Sequence, residues 1–460
     1  KEAPQTMIQF LIRHKTDGIK PESVMDHREE YIRELYGAMM SQRFNELLQK
    51  GDPPFVYGGA FYGDFVRGYE IFGMILAPKP NEEALGLEAI LTEVERANRY
   101  GFTEGELERA KADILTAWER KYNERDKISN DEYIRDYIGH YMNKDAYLSA
   151  ETGYMLVQGL LPTITTADFI PRMEAWFQEK NRSLVITGPE GEGHVHLTRE
   201  EAKAIFEKVA AADMEPYEEE AMAESLLSAE LVPSTIISTQ KLEAFDATEW
   251  TLENGAKIIY RHADFEKDEV RIRAFSPGGA SLYEDQDVPS ADMLTGLTSF
   301  YGLGEFDATS LQKMLAGKQV ELNMSLGELN EGLIGQSTPR DLETMMQLLY
   351  LAFNEPRFDE EAHMAIMSRY RGLVENLGNN PQKIMSDSLN LILSDHHPRT
   401  RIFDMEYLED IEYATLEKIY RERFTDADDF FFVIVGNVEE DELKPLVQKY
   451  IGAIPKLERT

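Results

Sequence analysis

The sequence has 460 residues and a formal charge of −36, from 48 Lys and Arg against 84 Asp and Glu. That balance lacks the basic footprint that phosphate backbones require, so nucleic acid is not an expected partner. With no cysteine, disulfides, cysteine–zinc fingers and thiol catalysis are excluded.

In chain order, residues 5–15 (QTMIQFLIRHK) read as a strand. A helix follows, with apolar spacing at Ile32, Leu35, Met39, Met40, Phe44, Leu47 and Leu48, and Gly51, Pro53 and Pro54 stop it. FVYGGAFYG and YEIFGMILAP read as strands. Two amphipathic helices come next, the second opened by a Thr103/Glu106 capping box. More helices fill 131–180, SLVITGP is a buried strand, and a Thr198/Glu201 box starts a further helix. The stretch 213–245 is acidic and poor in strand pattern, and reads as a linker with one helix around 217–230.

The second half restarts with a hairpin at the Asn254–Gly255 turn, then the strand DEVRIRAFSPGG. Residues 289–323 read as helix, turn, helix and strand, and 319–336 as a strand pair. Two amphipathic helices follow, the first capped by Thr338 with Asp341 three residues on. A helix at 414–423, the strand FFFVIVG and a closing helix end the chain. No apolar run approaches the ~18 residues that span a bilayer.

The two halves repeat one unit. RYGFTEGELERAKADILTAWERKY parallels EPRFDEEAHMAIMSRYRGLVENL, with Phe102 on Phe358, and Gly188 falls on Gly436. The expected fold is therefore α+β: two homologous domains, each a mixed, mostly antiparallel sheet with helices packed on one face. The expected boundaries are 1–212, an acidic linker at 213–245, and 246–460.

At FDEEAHMAIMSRYRGLVEN, at the block LEDIEYATLEKIYRERFTDADDFFFVIVGNVEEDELKPLVQKYIG, and at MMSQRFNELLQKG, the chain resembles the insulinase/pitrilysin family of zinc metallopeptidases. The resemblance implies a clamshell of four homologous domains, or separate subunits supplying them. The first domain would carry an inverted H-x-x-E-H motif on a helix. There two His bind zinc, the Glu is the general base, and a distant Glu completes the ligand set.

Aligned on Leu315–Ala316–Gly317, the motif slot falls on DMLTG. The His positions become Asp292 and Gly296, the base position Thr295, and the distant Glu position Leu373, with Glu375 two residues on. No His lies between His262 and His363, so this half resembles the family's inactive third domain, with Leu294, Leu297 and Phe300 as core. The first half resembles a second domain. The substrate-contacting Arg and Tyr of the family's opposite half fall on Leu48 and Phe55, so that pair is absent too.

Other candidates are weaker by chemistry. Adjacent His396 and His397 beside Asp395 diverge and rarely chelate together. His194 and His196 have strand spacing that puts both rings on one face, but two ligands lack a third. SPGGAS lacks the Gly-Lys-Ser/Thr of a phosphate loop. Met345, Met346, Met364 and Met367 read as core filler.

The expected function is a non-catalytic half-chamber of a zinc metalloendopeptidase, holding peptide substrate while an N-terminal domain outside this chain supplies zinc and base. The chain reads as domains two and three of that protein, with no zinc or catalytic residue of its own. Its partners would be peptide substrate and the missing first and fourth domains. Substrate would add as a strand to a sheet edge, whose residues the sequence does not name. The alternatives are a stand-alone inactive peptidase-like subunit that binds peptide or scaffolds a catalytic partner chain, and a hydrolase site of another kind. The resemblance also allows an exported bacterial enzyme.

Overall fold

The computed structural model describes residues 5–16, 23–143, 146–190, 193–219, 222–223, 225–377 and 380–457. The chain forms two compact units: residues 1–221 with 364–393, and residues 222–363 with 394–460.

Unit 1 begins with β1 (Met7–Lys15), α1 (Val24–Leu48), β2 (Phe55–Val66) and β3 (Tyr69–Pro78). It continues with α2 (Glu83–Tyr100), α3 (Glu104–Asn123), α4 (Asn130–Asn143), α5 (Ala150–Leu160) and α6 (Phe169–Trp176). β4 (Arg182–Thr187) and α7 (Arg199–Ala211) follow. The sheet order is β2-β3-β1-β4, antiparallel throughout. Alternation along β1 turns Ile8, Phe10 and Ile12 inward, opposite Leu76, Met74 and Phe72 of β3. α1 buries Ile32, Leu35, Tyr36, Met39, Met40 and Phe44 in the same core, the face its apolar spacing predicts. The capping boxes at Thr103/Glu106 and Thr198/Glu201 both form.

Unit 2 opens with β5 (Ile236–Leu242), β6 (Ala247–Leu252), β7 (Lys257–His262) and β8 (Val270–Pro277). Then come α8 (Val288–Thr298), α9 (Ala308–Met314), β9 (Val320–Leu326), β10 (Asn330–Ser337) and α10 (Leu342–Asn354). α11 (Glu360–Leu377) crosses the division, and α12 (Pro381–Leu393) belongs to unit 1. α13 (Met405–Glu409), α14 (Tyr413–Arg423), β11 (Phe431–Gly436) and α15 (Glu440–Leu446) complete unit 2. Its seven-stranded sheet runs β5-β6-β7-β11-β8-β10-β9, mixed because β11 is parallel to β7. The expected Asn254–Gly255 turn joins β6 to β7, with Gly255 at φ 90°, a conformation glycine adopts without strain. Thr338 and Asp341 exchange hydrogen bonds at 3.0 and 3.1 Å in the turn that leads into α10, but the N-cap residue is Asp341 rather than the expected Thr338.

The repeat is visible in strand order. β2-β3-β1-β4 in unit 1 corresponds to β9-β10-β8-β11 in unit 2. The difference lies beyond β11, where β7, β6 and β5 extend the sheet, whereas β4 pairs on one side only among the described residues. Both units are α+β, with a mixed or antiparallel sheet.

Four further readings are corrected. Residues 236–242, inside the acidic stretch, form edge strand β5, because TIISTQKL carries β-branched residues that the surrounding acidity obscured. No helix occurs among the described residues of 217–230. Met345, Met346 and Met367 are core, but Met364 is 61% exposed. Leu294 and Leu297 are fully buried, while Phe300 is only partly so. Among the described residues, no helix is long and apolar enough to cross a membrane.

Candidate functional site

The slot that the sequence aligns with a zinc box is α8. Pro289 in its first turn supplies a pre-set φ, and Ala291, Leu294 and Leu297 form its buried stripe. Asp292, Thr295 and Gly296 lie off that stripe. Asp292 Oδ2 accepts a hydrogen bond from the Tyr407 hydroxyl at 3.3 Å. Burial raises its carboxyl pKa, against the lowering effects of that bond and of Arg399. Thr295 offers its carbonyl to the Ser299 amide at 3.3 Å. A Cβ built on Gly296 would meet nothing within 4 Å. Leu373 is 39% exposed and lies in the stretch of α11 grouped with unit 1, whereas the other three are in unit 2.

These residues do not fit zinc. The set offers one carboxylate, already holding a tyrosine hydroxyl, one hydroxyl side chain and a glycine, and a tetrahedral site needs three protein ligands of suitable chemistry. The next imidazole along the chain after the slot, His363, is engaged elsewhere: its Nδ1 lies 2.7 Å from the Tyr301 hydroxyl, with the Tyr413 ring centroid 5.0 Å away.

The other histidines also separate. His194 and His196 lie outside any strand, so the expected strand spacing does not apply. His196 Nδ1 lies 2.6 Å from Glu83 Oε1 and its Nε2 lies 2.8 Å from the Pro189 carbonyl. Glu83 Oε2 accepts the Leu197 amide at 2.8 Å, so the loop is tied to the first turn of α2. The Glu83 hydrogen bond, then the Pro189 carbonyl, raise the His196 pKa. His396 and His397 are exposed in a turn where Asp395 and His396 have positive φ, and His397 Nδ1 accepts the Arg399 amide at 3.3 Å.

Among the described residues, one carboxylate group gathers: Asp426, Asp428 and Asp429, with ligand oxygens within 4.8 Å. Lys456 Nζ lies 3.1 Å from Asp428 Oδ2, so an ammonium already supplies part of the countercharge. The glycine loop at 276–281 binds no phosphate through its amides, because they are spent on the β9–β10 turn: Gly278 donates to Leu329, Ala280 to Gly327 and Ser281 to Glu328, at 2.9, 2.8 and 2.7 Å.

Sequence reasoning missed the buried cation of unit 1. Arg43, 2% exposed, donates to Glu106 at 2.6 and 2.9 Å, to Glu93 at 3.2 Å and to the Gly101 carbonyl at 3.1 Å. Its position in an otherwise apolar helix face was the available signal. The carried-over substrate positions are structural: Phe55 is fully buried and Leu48 ends α1.

Sheet edges suit a peptide: among the described residues β9 pairs only with β10, at one end of the unit 2 sheet, as β5 does with β6 at the other end and β2 and β4 do at the ends of the unit 1 sheet.

No protein-family profile matches the chain. It is 23% identical over 454 residues to an Arabidopsis thaliana protein named zinc protease PQQL-like, covering 97% of this chain and 41% of that one. It is 22% identical over 444 residues to the Escherichia coli protein named probable zinc protease PqqL, covering 94% and 47%. Among solved structures, the ferredoxin protease FusC, crystallised in complex with Arabidopsis ferredoxin, matches with a TM-score of 0.63 at 16% identity, over 99% of this chain and 50% of that one. Pitrilysin matches with a TM-score of 0.52 at 11% identity, over 98% and 47%. The chain thus spans about half the length of the relatives it matches.

Proposed function

We propose, for a chain whose relatives and fold are those of the insulinase/pitrilysin zinc peptidases, that it is the non-catalytic part of such an enzyme. In this reading residues 1–212 are a second-type domain, 213–245 join the two while their last part adds β5 to the unit 2 sheet, and 246–460 are an inactive third-type domain. Zinc and general base come from another domain or chain. The observation that supports the reading is the chemistry of α8: the helix that the resemblance aligns with the metal slot carries Asp292, Thr295 and Gly296 where two imidazoles and a glutamate would be needed.

The role left to the chain is to hold peptide. The open edge of β9 is the candidate acceptor, with backbone groups giving affinity and alternate side-chain positions giving selectivity. The test pairs two measurements on the purified chain. With added zinc, quenched fluorescent peptides should not be cleaved. Hydrogen exchange should show slowed amides in 320–326 when a non-hydrolysed extended peptide is added. Cleavage abolished by chelator would overturn the inactive reading, and protection confined to another edge would overturn the choice of β9.

A further inference from the structure

We infer that the face of the unit 2 sheet turned away from its helices is a docking surface for an acidic, apolar-flanked polypeptide segment. Strand register fixes which side chains share this face, since alternate residues on paired strands point the same way. One row runs Lys257 (β7), Phe431 (β11), Phe275 (β8) and Gly332 (β10). The next runs Ile259, Val433, Arg273 and Ile334, and a third Arg261, Val435, Arg271 and Gln336. The opposite face carries Ile258, Tyr260, Phe432, Ile434, Ile272 and Leu333, all buried.

Two properties mark this face. It exposes large apolar groups that a sheet of this kind buries when it can: Phe275, Phe431 and Ile334 are 40%, 41% and 54% exposed. It also concentrates cations in a chain of net charge −36. Arg271 is paired with Glu269, and Lys257 Nζ sits 5.2 Å from the Phe431 ring centroid. Arg261 and Arg273 have no carboxylate partner among the described residues. The acids that face the patch stand at its flanks: Glu249 opposite Ile259 on β6, and Glu321 opposite Gln336 on β9, where Asn323 donates to it at 2.6 Å.

Charge complementarity selects the occupant. Two unpaired guanidiniums beside an apolar strip attract a segment that sets Asp or Glu beside Leu, Ile or Phe, and disfavour a basic one. The surface differs from the β9 edge in using side chains rather than backbone, and its occupancy does not depend on peptide hydrolysis.

The test measures anisotropy of a fluorescein-labelled amphipathic peptide with alternating Leu and Glu clusters, titrated with the whole chain at low salt. A second peptide replaces every Glu by Lys. The expected result is saturable binding of the acidic peptide alone, weakened about tenfold or more by the double variant Arg261→Glu, Arg273→Glu and by raised salt. Circular dichroism and the melting midpoint confirm that the variant folds, and the double variant Arg199→Glu, Lys203→Glu at exposed positions of α7 serves as a charge-matched control that leaves binding unchanged. Equal affinity for the two peptides, or no loss in the double variant, overturns the proposal. Sedimentation velocity on the same proteins covers the rival occupant: a dimer that dissociates in the double variant, with no peptide binding, assigns the face to a second copy and also overturns it.

Discussion

The Tyr407 hydroxyl donates to Asp292 Oδ2 at 3.3 Å, at the position that the sequence resemblance aligns with a zinc-binding imidazole. Burial raises the Asp292 pKa, so the ionised carboxylate is disfavoured in the folded chain. The folded pKa lies above the unfolded value of about 3.9, so the folded state gives up this proton later as pH rises. The resulting penalty is absent well below that value and grows as pH climbs toward the folded pKa. Asp292→Asn keeps an acceptor for Tyr407 and removes the charge. Its melting midpoint should exceed that of the wild type at pH 7, with the gap closing in acid. An unchanged or lower midpoint at pH 7 contradicts this assignment.

Gly296 occupies a helix interior with open space around its missing Cβ. Glycine there costs about 1 kcal/mol relative to alanine. Gly296→Ala should therefore stabilise unit 2 by up to about that amount in urea denaturation. A loss of stability would show that the helix face at 296 is covered.

Arg43 ties α1 to α2 and α3 through Glu93 and Glu106, and Glu106 also caps α3 by accepting the Thr103 amide at 2.8 Å. Replacing it by a neutral side chain leaves buried carboxylates short of their cation, a change that costs about 3–5 kcal/mol. Arg43→Met should lower the unfolding midpoint of unit 1 sharply. Arg43→Met combined with Glu106→Gln should recover part of the loss, which equilibrium denaturation of the single and double variants would reveal.

His196 carries the pH dependence of the loop before α7. Its hydrogen bond to Glu83 raises its folded pKa above the unfolded value of about 6.5. The stabilisation is complete below about 6.5 and is lost as pH rises through the folded pKa. His196→Gln should flatten that alkaline decline, read as melting midpoint against pH between about 6 and 9. If the wild type shows no decline that the variant removes, the imidazolium–Glu83 pair is not formed.

How much of this was readable depended on range. Local signals carried well: the Thr103/Glu106 and Thr198/Glu201 boxes and the Asn254–Gly255 turn each act within four residues, and each formed. The alternation in VRIRAF already set Arg271 and Arg273 on one face. That Arg261 joins them needed the parallel pairing of β7 with β11, which no local pattern specifies. β5 was hidden because the acidity around it masked its β-branched residues, and its pairing with β6 is not visible in local sequence. The Arg43 cluster joins residues 50 and 63 positions apart, a partnership that only the packed helices reveal. His196 likewise pairs with Glu83 across 113 positions, so its spacing from His194 pointed to the wrong chemistry.

The most direct measurement is the zinc content of the purified chain by elemental analysis, followed by zinc calorimetry after chelator treatment. The account predicts no stoichiometric zinc and no tight binding, because Asp292, Thr295 and Gly296 do not form a ligand set. One zinc per chain, bound tightly enough to survive dialysis, would contradict it and shift attention to His194, His196, His396 and His397.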